Sequence, residues 1–100
     1  MSYRLSRQAT LDLLEIYKSG HQEFGEAQAD RYHAGLERVF DLISSNPRLA
    51  RLRVEIPNPA RIHRYGAHVM VYSVDENDNI LIIRVRHGRE DWTADPAGRE

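Results

Sequence analysis

The 100-residue sequence contains no cysteine, which excludes thiol nucleophiles, disulfide bridges and thiolate zinc sites, and suits a reducing compartment. It has no long apolar run. The longest purely aliphatic stretch, Ile80 to Ile83, falls far short of the roughly 20 residues a membrane-spanning helix needs. The first residues, MSYRLSRQ, lack the apolar core of a secretory signal, so a soluble cytoplasmic protein is expected. Neither a glycine-rich phosphate loop nor a nucleophile elbow occurs. Lysine is nearly missing as well: 13 of the 14 basic side chains are arginine, the type suited to forked contacts with carboxylate or phosphate.

What is present fits one domain over residues 1–100, a length that buries roughly 60 to 70% of the unfolded surface without metal or disulfides. The net charge of -1 hides an asymmetry. Leu11 to Asp41 carries seven acids against three bases, and Arg48 to His68 carries five arginines against one glutamate. The first half is acidic and the second basic.

Ser2 to Leu5 reads as an opening strand, with Ser6 as the N-cap of a helix running from Arg7 to about Gln22. In that helix Ala9, Leu13, Ile16, Tyr17 and Gly20 share a face, with Leu14 beside them. Phe24-Gly25 interrupts the pattern. A second helix follows from Glu26 to about Ser45, with Ala29, Tyr32, Leu36, Val39, Phe40 and Ile43 on one stripe, and Pro47 ends it. The short connection makes the pair an antiparallel hairpin whose apolar stripes need a sheet to cover. Tyr17, Phe24, Tyr32 and Phe40 are expected to be core residues.

Arg48 to Ala60, with Pro57 and Pro59, reads as a long loop holding a short strand within Leu52 to Ile56. Then come strands at Arg61 to Tyr65, His68 to Val74 and Asn79 onward, separated by turns at Gly66-Ala67 and Asp75 to Asp78. This is an antiparallel meander. The last strand, in NILIIRVRHGRED, places Leu81, Ile83, Val85 and His87 on one face by its period of two, and Ile80, Ile82, Arg84 and Arg86 on the other. The first set is expected to pack on Leu13, Ile16, Leu36, Val39 and Phe40. The only neighbour left for its far side is the opening strand. The fold class is therefore α+β, β-α-α-β-β-β, with the N-terminal helical hairpin on one face of a small, largely antiparallel sheet. The tail from about residue 92 has one large apolar residue, Trp92, and is expected to fray.

His63, His68 and His87 lack an accompanying carboxylate or cysteine at ligand spacing, so no metal or other cofactor is expected. The second helix bears only Arg31 and Arg38 among its acids, so no recognition helix for DNA is expected.

With YRLSRQA at its start, HVMVYSVDENDNILIIRVRHG and HGRED near its end and a tryptophan just beyond, this order of elements resembles the RelE/ParE toxin superfamily, the ParE branch in particular. The resemblance covers nearly the whole chain. It implies the toxin of a type II toxin-antitoxin pair that inhibits DNA gyrase, is silenced by a ParD-like antitoxin, and meets DNA only through that antitoxin. RelE-like relatives instead cleave mRNA on the ribosome, and the shared fold does not choose between branches. A degenerate toxin kept only as an antitoxin partner is the third possibility. Ribonuclease members carry an arginine where this chain has Val69, and no tyrosine follows Tyr72. A ribonuclease reading therefore falls on His87 with Arg84 and Arg64. On the non-catalytic reading, Arg84, Arg86, Arg89 and Trp92 form the target surface, and Arg48, Arg51, Arg53, Arg61 and Arg64 line the antitoxin site, a groove between the helical hairpin, the sheet and that segment.

Overall fold

The computed structural model describes residues 3–89. Its elements are β1 (Tyr3–Leu5), α1 (Arg7–Phe24), α2 (Glu26–Ser45), β2 (Leu52–Arg53), β3 (Ala60–Tyr65), β4 (His68–Val74) and β5 (Ile80–His87). The sheet order is β1-β5-β4-β3-β2. β1 runs parallel to β5, and every other pairing is antiparallel. The opening strand thus flanks the last one as expected, and the long loop contributes only Leu52–Arg53 as a strand. Among the described residues no helix is long and apolar enough to cross a membrane.

Ser6 starts α1 as the sequence indicates. Its Oγ accepts from the Ala9 N–H at 2.9 Å, which satisfies one of the orphan donors of the first turn. The same hydroxyl donates to the Ile83 carbonyl at 2.6 Å, so the helix start is tied to β5. Both helices meet at Gly25, whose φ of 91° lies in a region side-chain-bearing residues avoid. Its N–H donates to the His21 carbonyl and its carbonyl accepts from the Ala29 N–H, so one residue closes one helix and opens the next. α1 therefore runs on to Phe24, whose ring is 63% exposed and not in the core as expected. Leu14 is exposed as well.

The sheet buries both faces at β4. On the helix side Leu13, Leu36, Phe40 and Ile43 pack with Met70, Tyr72, Ile80, Ile82 and Val85. On the opposite side Val69 and Val71 join Ile56, Ala60 and Ile62, with Ile83 packed against them. The face expected for β5 is therefore wrong at Leu81 and Ile83 and right at Val85. Val71 faces Arg84 while Tyr72 faces Ile82, which leaves Ile83 as an extra residue in a β-bulge. A bulge resets the alternation: Ile80 and Ile82 face the helices before it and Val85 after it, whereas Leu81 and Ile83 do not.

Gly35 fixes the distance between α2 and β3. A Cβ there would run into Tyr65 Oη and stand 2.6 Å from its Cζ, and the Tyr65 ring leans on Tyr32 at a centroid separation of 5.3 Å. Helix propensity alone favours alanine over glycine by up to about 1 kcal/mol. Overpacking costs about 1–3 kcal/mol and outweighs it, so Gly35→Ala lowers stability in urea denaturation and added Tyr65→Ala recovers part of the loss. A more stable Gly35→Ala shows that Tyr65 swings aside freely.

Candidate interaction surfaces

A cleft of about 610 Å³ opens where the second half of α1 and the first half of α2 lean over the end of β5 and the β3–β4 turn. The hairpin supplies Ile16, Gly20 and Ala29 to it, and Glu15, Glu23 and the exposed Phe24. Tyr32 organises the far wall. Its Oη lies 2.7 Å from His68 Nδ1, donates to the Tyr65 carbonyl at 3.2 Å and accepts from the Ala67 N–H at 3.2 Å. Burial raises this phenol above its ordinary pKa, so it stays a neutral hydrogen-bonding group near neutral pH. His68 and His87 are cross-strand neighbours and touch edge to face at 5.3 Å, while His87 Nδ1 accepts from the Arg89 N–H at 3.1 Å.

Arg84 is held by an acid of α1. Its Nε and Nη2 donate to the Asp12 carboxylate at 2.7 and 3.0 Å, and the two side chains are only 14 and 13% exposed. Asp12 also accepts from the Val85 N–H at 3.0 Å. β1 ends opposite Ile82, so this carboxylate seals an edge amide that no strand covers among the described residues. Arg86 and Arg64 both stand opposite Val69, on the sheet face away from the helices. Two of the three side chains of the ribonuclease reading come together: His87 and Arg84 both line the cleft, with the Arg84 guanidinium bound to Asp12, while Arg64 stands on the other sheet face. His63 sits opposite Met70, apart from the His68–His87 pair, with its Nδ1 buried and without a hydrogen-bond partner. Arg89 is exposed at the end of the described chain, and Trp92 lies outside the described residues.

The remaining arginines gather at the far end of the sheet, away from the cleft. Arg48 pairs with Asp78 at 2.8 Å and Arg51 with Glu55 at 3.1 Å, a contact that holds the Glu55 carboxyl below its usual range. Arg61 Nη1 donates to the Ala50 carbonyl at 2.6 Å. The Tyr72 hydroxyl donates to the Pro47 carbonyl and accepts from the Ala50 N–H, so the segment from 47 to 53 is pinned from beneath. The expected groove between hairpin, sheet and this segment is therefore two separate places: a cleft at one end and an arginine-bearing strap at the other. The acid-rimmed cleft had no local signal in the sequence beyond the acidic count of the first half.

Comparison with known proteins agrees with this architecture. A chain from the chromosomal ParDE TA system of P. aeruginosa superposes with a TM-score of 0.68 at 23% identity, covering 87% of this chain and 95% of that one, which speaks for the fold. Toxin ParE1 of Mycobacterium tuberculosis is 34% identical over 89 residues, 89% of this chain and 91% of that protein. Toxin ParE1 of Caulobacter vibrioides is 33% identical over 85 residues, 85% of this chain and 86% of that protein. Residues 3–92 match the family model described as the ParE toxin of the type II toxin-antitoxin system parDE, and the chain belongs to that family.

Proposed function

We propose that the chain acts in the cytoplasm by binding DNA gyrase and that a ParD-type antitoxin neutralises it by placing an amphipathic segment in the cleft. The observation that carries the second part is the cleft itself: an apolar floor of Ile16, Gly20 and Ala29 beside β5, with polar groups from Tyr32 and His68 at its wall, is the form of site that receives an apolar face of a partner helix. Gyrase is the target that family membership brings with it.

The target surface is Arg86 and Arg89 together with Trp92, the side-chain types that most often dominate protein interfaces. Arg84 leaves that set because its guanidinium is held by Asp12. The direct test uses the antitoxin-free protein with purified gyrase and plasmid. Supercoiling is lost or cleavage complexes are trapped, an Arg86→Glu, Arg89→Glu variant loses at least about tenfold in potency, and translating ribosomes yield no new mRNA 5′ ends. Co-expressed ParD-type antitoxin restores growth. Codon-positioned mRNA cuts that vanish in a His87→Ala variant overturn the reading in favour of a ribonuclease.

A further inference from the structure

The five-stranded sheet ends on β2, a strand of only two residues that pairs with β3 at Ala60 and Arg61. Among the described residues no strand lies outside it. Around it the chain alternates large apolar side chains with arginine: Arg48, Leu49, Arg51, Leu52, Arg53, Val54. Leu49 and Leu52 are exposed, and Val54 is 69% exposed, an unusual cluster for surface residues that only solvent meets. The segment is nevertheless held in place by Tyr72 and Arg61, so a partner meets it already ordered and loses less entropy on binding.

We propose that the outer edge of β2 accepts an extended acidic segment of the antitoxin as a sixth strand, with apolar side chains over Leu52 and Val54 and carboxylates on Arg48, Arg51 and Arg53. The proposal rests on the reading that a ParD-type antitoxin neutralises this chain. Strand addition draws its affinity from the backbone and its selectivity from alternate side chains. The charge here selects acid: between Arg48 and Arg64 stand five arginines and one glutamate. Among the described residues Glu55 and Asp78 already pair with Arg51 and Arg48, in ion pairs whose side chains are all more than half exposed. Such pairs are weak and screened, so a partner's carboxylates exchange with them readily. The opposite edge of the sheet is less suited to an extended acidic strand, as distinct from an apolar helix face seated in the cleft. There β5 emerges beyond β1 with its Val85 amide already occupied by the Asp12 carboxylate, and Glu15 and Glu23 stand along the same cleft.

The probe is a synthetic peptide in which glutamate alternates with leucine, added to the full chain, with a version bearing lysine in place of glutamate as control. Hydrogen exchange is expected to slow at Leu52 to Val54 with the acidic peptide alone. By calorimetry an Arg51→Glu, Arg53→Glu variant, checked for an unchanged circular dichroism spectrum, binds it at least about tenfold more weakly. Raising salt from low to physiological weakens the wild-type interaction. Equal binding of the lysine peptide, or protection at Val85 to His87 in place of β2, overturns the proposal. A neutralising antitoxin complex that leaves Leu52 to Val54 unprotected also overturns it, while leaving the toxin reading intact.

Discussion

Replacing Asp12 by alanine is expected to destabilise the protein by about 2–4 kcal/mol, measured by urea or thermal unfolding. Removing one member of a buried ion pair costs about 3–5 kcal/mol because the other charge is stranded. The residual exposure of 14 and 13% trims that figure. Asp12 also satisfies the Val85 N–H, and an unsatisfied buried donor costs a further 1–3 kcal/mol or so where water cannot replace the acceptor. Asp12→Asn keeps one acceptor oxygen and loses less. An Asp12→Leu, Arg84→Met double replacement costs less than the sum of its single changes, since neither charge is left alone. A loss below about 0.5 kcal/mol for Asp12→Ala places the pair with ordinary surface bridges and removes its role as a clip.

Ile82→Ala is expected to cost about 2–5 kcal/mol, because Ile82 is fully buried between α1, α2 and β4. Ile83→Ala, where the side chain is only partly buried against the second cluster, costs about 1–2 kcal/mol on the same scale. The order of the two losses, read from denaturation midpoints, tests the bulge directly. A larger loss at Ile83 restores the unbroken alternation of the strand and with it an outward Arg84.

That pair of isoleucines also marks where the sequence stopped being legible. Both helices were readable because a period near 3.6 persists over 18 and 20 residues, with the start of the first signalled by Ser6 and their junction by Gly25. β4 was readable as internal because Met70 and Tyr72 alternate with Val69 and Val71, all apolar. In β5 the run Ile80 to Ile83 is apolar at every position, so it fits either phase equally. A bulge inserted there leaves no mark in residue type. The error then carried forward to Arg84, whose partner Asp12 is 72 positions away and is one of seven acids in that region. Local pattern holds no information about which acid closes that distance. Phe24 was misread for another reason. It belongs to the apolar set by composition, yet the Gly25 junction ends α1 where its last side chain overhangs the sheet.

The clip between α1 and β5 changes what an amide near the sheet edge reports. Edge amides ordinarily exchange with solvent by local fraying that leaves the rest of the fold intact. In this protein the Val85 amide is closed by a side chain from a helix, and that helix is anchored in turn through Ser6 to the carbonyls of Ile82 and Ile83. Exchange at Val85 therefore follows the undocking of α1, so a single slow peripheral proton becomes a gauge of the free energy that holds the two layers together.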